Sequence, residues 1–335
     1  MECYNEGLNK ERGAILVQYA VFDRPAVTIY DLPQPTMPGQ DGQTVSAIGD
    51  QGLYGQSCQV LEDAGEMVRV RTFYGYPGYA ARDSLRFLTR EQMQAYLAAP
   101  AVMAARTADL LSCPQVAGIP LLTVERGARL RLAPCAEKPD GWTRVLLADG
   151  RAAWVWDRSL EPLCWEEDAV FTQREGLPFD DALAQALGVE PGQLVRRALD
   201  RWHGGDPGAF RRALCETARK YLGTQYRWGG RAGSGLDCSG LVSSVYMQNG
   251  VLIYRNAQIK PGWPMRSIPR EKMRPGDALY FPGHIALYLG EGLYIHSTGA
   301  AASGGVVYNS LDPASGIYRA DLDQKLTAVG TVLEN

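Results

Sequence analysis

The sequence predicts a multidomain α+β protein: two small β-barrels, then an α+β domain with a lone cysteine at the start of a helix. Three observations predict it. The stretch VRVRTFYGYPGYAARDSL (residues 68–85) aligns with TRVLLADGRAAWVWDRSL (residues 143–160) at a constant offset of 75 residues; Gly75 matches Gly150, Tyr79 matches Trp154 and Leu85 matches Leu160. After Leu163 the pattern changes to apolar residues at helical spacing. Further on, GSGLDCSGLVSSVYMQNG (residues 233–250) sets Cys238 between Asp237 and Ser239, after a glycine run and before a second helical pattern.

At 335 residues the chain exceeds one ordinary core, and two or three domains are expected. Each copy of the repeat reads as a strand, a Gly turn, a strand with an aromatic, and a short polar turn, which suits a small barrel. The first barrel and a helical extension are assigned to residues 1–105, and the second barrel to 106–164. TREQMQAYLAAPAVMAARTADLL (residues 89–111) reads as helical between them. Residues 165–207 form a helical linker: two short helices parted at Glu190-Pro191-Gly192. Residues 208–335 form the α+β domain, opening with a long helix that Gly223 ends.

Composition excludes several classes. A net charge of −3 with no dense Lys/Arg run gives no basis for a nucleic-acid partner. No apolar stretch approaches the roughly 18 residues of a membrane span. The start, MECYNEGLNKERGAILVQ, lacks the basic head and apolar core of a signal peptide, and the seven cysteines are scattered without a framework spacing. Both favour a reducing cytoplasm. A monomer without cofactor or metal is expected.

Leu241, Val242, Val245 and Tyr246 recur at helical spacing, Asp237 is a good N-cap and Gly250 a natural stop. Cys238 therefore falls in the first turn, where free backbone N–H groups lower a thiol pKa. A buried structural cysteine would need none of the flanking Asp, Ser and Gly. Of the three histidines, His203 lies in a loop (RWHGGDPG) and reads as structural or solvated. His284 and His296 flank Gly290-Glu291-Gly292, the turn of a predicted hairpin, so they should be neighbours at its open end. Cys238 as nucleophile, His284 as base and His296 as its orienting partner make a thiol-peptidase set. The oxyanion would meet the Cys238 N–H and the Tyr226 hydroxyl. One Cys and two His could also hold zinc, but no Cys-x-x-Cys or fourth ligand accompanies them.

TQYRWGGRAGSGLDCSGLVSSVY, RPGDALYFPGHIALYLG and YIHSTG resemble the three signature blocks of the NlpC/p60 cysteine peptidases, over about the last 125 residues. The repeat resembles bacterial SH3-like domains. The resemblance implies two SH3-like barrels followed by a papain-like catalytic domain. With both domains ahead, the chain resembles the γ-D-glutamyl-L-diamino acid endopeptidases of murein-peptide recycling. That implies cleavage after L-Ala-γ-D-Glu in free tri- or tetrapeptides carrying diaminopimelate or Lys. It carries Cys238, His284, His296 and Tyr226 onto the catalytic positions, and Trp228, Asp237 and Ser239 onto substrate contacts. It implies that an acidic residue and a Tyr of the first barrel bind the substrate's free amine: Asp50, with Asp41 as fallback, and Tyr76. Arg255, in YRNAQ where the family often has Arg-Asp-Ser, is implied to pair the γ-D-Glu carboxylate. The alternatives are a non-catalytic or acyl-transferring binder of wall fragments, and a hydrolase of intact peptidoglycan.

Overall fold

The computed structural model describes residues 18–39 and 41–334. The stretch read as lacking an export signal spans residues 1–18, and all of it but Gln18 lies outside the described residues. The chain first forms β1 (Gln18–Phe22), β2 (Ala26–Tyr30), a small hairpin of β3 (Thr36–Pro38) and β4 (Thr44–Ser46), then β5 (Ile48–Leu53), β6 (Ser57–Ala64), β7 (Met67–Thr72), β8 (Pro77–Ala81) and β9 (Leu85–Leu88). All but the hairpin pair in one sheet, in the order β5-β2-β8-β7-β6-β1-β9. After α1 (Arg90–Ala98) come β10 (Ala101–Ala104), β11 (Ala108–Leu111), β12 (Pro120–Val124), β13 (Arg129–Leu132), β14 (Trp142–Leu146), β15 (Ala152–Trp156) and β16 (Leu160–Pro162). They pair as β12-β11-β15-β14-β13-β10-β16, which is the first order with each strand replaced by its counterpart.

The repeat explains this identity. Gly75 and Gly150 turn β7 into β8 and β14 into β15 with φ of 84° and 87°, a left-handed conformation open to glycine at no steric cost. Tyr79 pairs with Tyr30, and Trp154 with Leu111, at equivalent places in the two sheets.

The helix expected over 89–111 is shorter. Thr89 caps α1 in a reciprocal box with Gln92, and the helix ends at Ala98, before Pro100. The alanine-rich run beyond it forms β10 and β11 instead, because β10 finds two partners, β13 and β16. Sheet pairing overrides the helical propensity of alanine there. The second sheet thus takes β10 from before the expected 105/106 boundary.

Residues 165–207 are no free linker. Glu167, 3% exposed, accepts the Ser57 N–H (2.7 Å) and the Trp165 indole N–H (3.0 Å) and lies 3.7 Å from Arg129 of β13. Gln59 donates to the Val170 carbonyl at 2.6 Å and Gln173 to that of Phe73 at 2.9 Å. The segment threads between the sheets before forming α2 (Phe179–Leu187) and α3 (Leu194–Trp202).

The last part holds α4 (Pro207–Arg219), the two-stranded β17 (Arg231–Ala232) and β18 (Gly235–Leu236), and α5 (Cys238–Gln248). It continues with β19 (Arg266–Ile268), β20 (Ala278–Phe281), β21 (His284–Gly290), β22 (Leu293–Thr298), β23 (Gly305–Ser310), α6 (Ala320–Gln324) and β24 (Ala328–Thr331). Its sheet runs β19-β24-β20-β21-β22-β23. Leu241, Val242 and Val245 of α5 share a core with Ile285, Leu287 and Ile295 of β21 and β22 and with Phe210 and Leu214 of α4. The sequence pattern suggests a one-faced helix, but every residue of α5 is buried, as a helix packed on several sides must be. Among the described residues no helix is long and apolar enough to cross a membrane.

Candidate active site

Asp237 fixes the start of α5 by accepting the Gly240 N–H at 2.5 Å, which sets Cys238 as the first helical residue. A side chain at Gly240 would meet the Gly230 carbonyl oxygen at 2.0 Å, and one at Gly229 would meet Ile48 at 2.3 Å. The glycines around Cys238 thus let the loop before it press on the helix start and on β5. The backbone N–H groups of Ile285 and Ser239 favour the charged form of the sulfur. The expected fall in its pKa is overturned at rest: burial, and then the Asp237 charge, push the thiol up. Those two N–H groups and Arg255 only partly oppose this.

His284 opens β21 and His296 lies on β22. The pairing of Leu287 with Ile295, extended by one residue, sets His296 opposite Ala286, two residues from His284. The rings are therefore diagonal neighbours on one face rather than directly opposed, because a register shift at the turn displaces the symmetry centre. His284 Nε2 lies 2.7 Å from His296 Nδ1, and His296 Nε2 lies 2.9 Å from Asn309 Oδ1 on β23. Burial first, then the neighbouring His296, hold His284 down to about 3. Burial lowers His296 to about 4 against the bond from Asn309. Both rings are neutral at pH 7. His203, away from the site, bonds the Asn249 carbonyl at 2.9 Å, a structural role. No three His, Cys, Asp or Glu side chains gather in metal-ligating geometry among the described residues.

A cleft of about 430 Å³ opens over Cys238, lined by Tyr226, Trp228, Asp237, Ser239, Asn256 and, from the first sheet, Asp31, Gly49 and Tyr76. The Tyr226 ring packs beside Gly299, and its phenol is pushed up to about 12 by burial and then by Cys238, so it stays a donor. Trp228, 66% exposed, forms part of the rim.

Asp50 does not face this cleft. Its carboxylate is fully buried, accepting from Arg255 Nε at 2.5 Å and from the Tyr74 hydroxyl at 2.6 Å. Arg255 does not offer itself to a substrate carboxylate either. Its remaining bonds go to Asp237 (3.1 and 3.0 Å) and to Ser239 Oγ (2.7 Å), so four of its five donors are engaged within the protein. Unpaired charges this deep would be costly, and the one guanidinium is held against both carboxylates. Asp237 and Ser239 reach the cleft wall but serve this network and the helix cap as well. Asp41 sits in the exposed β3–β4 turn, bonded to the Gln43 N–H.

The acid that the first sheet brings to the cleft is Asp31, which follows β2 and accepts the Tyr76 hydroxyl at 2.7 Å. A Cβ at Gly49 would come within 2.1 Å of both partners, so glycine there makes room for the pair. Sequence reasoning missed Asp31 and Asn309. Asp31 lies in a plain turn, DLPQP, and reaches Tyr76 only because β2 pairs with β8. Asn309 lies on a strand that carries no local motif.

The NlpC/P60 family model matches residues 223–318. The chain is 34% identical over 290 residues to a dipeptidyl-peptidase 6 of Lysinibacillus sphaericus, covering 84% of this chain and 91% of that one. It is 24% identical over 271 residues to a γ-D-glutamyl-L-lysine dipeptidyl-peptidase of Bacillus cereus, covering 76% of this chain and 68% of that protein. A crystal structure of an NlpC/P60 family protein from Bacillus cereus shares the fold, with a TM-score of 0.64 and 21% identity over 94% of this chain and all of that one.

Proposed function

Because the chain belongs to the NlpC/P60 family, we propose that it is a cysteine peptidase cutting the γ-D-Glu–L-diamino acid bond of free murein peptides that begin with L-Ala. The observation that carries this reading is the closure of one cleft by two parts of the chain: Cys238 on one side, and the Asp31–Tyr76 pair of the first sheet on another. A carboxylate beside a phenol suits an ammonium group, and its distance from Cys238 sets how much peptide fits between. The names of the two relatives, one a γ-D-glutamyl-L-lysine dipeptidyl-peptidase, support the same bond.

Catalysis on this reading starts from a neutral pair. As the Cys238 sulfur bonds the γ-carbonyl carbon of D-Glu, its proton passes to His284. The Cys238 N–H, which has no intrahelical acceptor, and the Tyr226 hydroxyl meet the developing oxyanion. Collapse breaks the C–N bond and His284 returns the proton to the departing amine. Water then cleaves the thioester and frees L-Ala-γ-D-Glu. The two N-terminal sheets read as SH3-like domains, with boundaries near residues 100 and 164, and the first of them lines the cleft. The peptides fit murein recycling in the cytoplasm, by a monomer.

The test is the product set from L-Ala-γ-D-Glu-L-Lys. Wild type is expected to release L-Ala-γ-D-Glu and Lys, and Cys238→Ala neither. Free alanine as the first product, or an inert peptide, would end the proposal.

A further inference from the structure

Asn309 completes a chain of hydrogen bonds that begins at the base. Its Nδ2 donates to the Ile317 carbonyl at 3.0 Å, and its Oδ1 faces His296 Nε2 at 2.9 Å. The amide is not free to flip, since the reverse orientation would set two oxygens against each other at Ile317. The same carbonyl accepts the Ser310 N–H at 3.0 Å, which ties the returning loop to β23.

The consequence for the protons is determinate. A carbonyl oxygen only accepts, so His296 Nε2 must carry a hydrogen. A neutral His296 then has a bare Nδ1, an acceptor, and His284 must donate to it from Nε2 across 2.7 Å. The remaining lone pair of a neutral His284 is on Nδ1, the only ring nitrogen left to take the Cys238 proton. We infer that Asn309 is a positioning residue that sets the tautomers of His296 and His284, and so fixes which nitrogen of His284 acts as base. It touches no substrate and acts through the two rings.

Other groups face the relay. Arg319, paired with Asp321 at 2.7 Å, approaches His296; the Tyr294 ring centroid is 5.2 Å from that of His296, and Phe281 is 5.8 Å from His284. Asp237 and Cys238 lie on the α5 side of the cleft. None of these supplies an acceptor at His296 Nε2 among the described hydrogen bonds. The inference rests on Cys238 and His284 being the reacting pair. The tautomers are read without substrate, so a wrong peptide assignment would leave that result standing.

The chain has only three histidines, so 15N-histidine labelling gives three ring systems. His203, which donates from Nε2 to the Asn249 carbonyl at 2.9 Å, is an internal standard for the Nε2–H form. In the full chain at pH 7, long-range 15N–1H correlations should find Nε2 protonated on His284 and His296, with His296 Nδ1 bare. A proton on His296 Nδ1 overturns the inference without any variant. Asn309→Leu should lose the single His296 tautomer and lower kcat by roughly 10- to 100-fold at unchanged KM. Asn309→Asp keeps an acceptor and should retain more kcat than Asn309→Leu. Unchanged tautomers or unchanged kcat in Asn309→Leu, or the reverse order of the two variants, overturns it.

Discussion

Cys238 shows one location exerting opposed effects. The helix start and the N–H groups of Ile285 and Ser239 favour a thiolate, while burial and Asp237 disfavour it, and the second set wins at rest. His284, the base on our reading, is held down to about 3 by burial and its histidine neighbour. An imidazole this low stays unprotonated through weak acid. The acid limb of the kcat/KM profile is therefore expected below about pH 5, rather than near the ordinary imidazole value of about 6.5. His284→Ala should lose nearly as much activity as Cys238→Ala, because nucleophile and base act as a unit. The two acids separate in the same assay. Asp31→Ala should raise KM for a free-amine peptide and leave stability nearly intact. Asp50→Ala, which leaves Arg255 Nε and the Tyr74 hydroxyl without their buried acceptor, should cost about 2 kcal/mol of stability in urea unfolding and leave the preference for a free amine unchanged. The reverse assignment of effects would restore Asp50 as the amine contact. Residue type and order brought out Cys238, His284, His296 and Tyr226 as candidates, and the fold sets Cys238 and Tyr226 on one cleft and the two histidines side by side. Asp31 and Asn309 were not, because each gains its partner through strand pairing that no local pattern announces.

At the scale of elements, the 75-residue offset was legible and carries over strand by strand, since turn glycines and paired aromatics recur with it. The β10 region was not, because an alanine-rich run takes its conformation from its neighbours. The hairpin argument found the right pair of histidines but missed the shift at its turn, where Glu291 takes a φ of +50°. The segment around Glu167 reads from sequence as a helical linker. In the fold Glu167 joins Ser57 of one sheet to Arg129 of the other. Glu167→Ala should destabilise the protein by roughly 3 kcal/mol, leaving a buried Arg129 and an unmet N–H. Denaturant melts followed through the tryptophans would register the loss. A change under about 0.5 kcal/mol, typical of surface sites, would reduce Glu167 to a bystander.

At the scale of the molecule, the buried relay couples stability to pH. His284 and His296 are depressed to about 3 and about 4 when folded, so the unfolded chain binds two more protons as pH falls through about 6.5. Their contribution is fully present above that pH and is lost toward the folded values. Asp180, pushed up to about 7 by burial, works in the opposite sense over the same window. Replacing both relay histidines with Gln should therefore flatten the loss of stability between pH 6.5 and 5 relative to wild type, and an unchanged slope would mean that the rings are not neutral when folded. The network Asp50–Arg255–Asp237 runs from β5 to the cap of α5, so the first sheet and Cys238 are held as one piece. On our reading this makes Asp31 and Tyr76 a fixed wall rather than a separate targeting module. The most direct test compares kcat/KM for L-Ala-γ-D-Glu-L-Lys with that for its N-acetylated form. The account predicts cleavage of the free peptide between D-Glu and Lys, and at least about tenfold slower cleavage of the acetylated one, as expected when a charge-assisted hydrogen bond to a carboxylate is lost. Equal rates on both, or no cleavage of the free peptide, would contradict it.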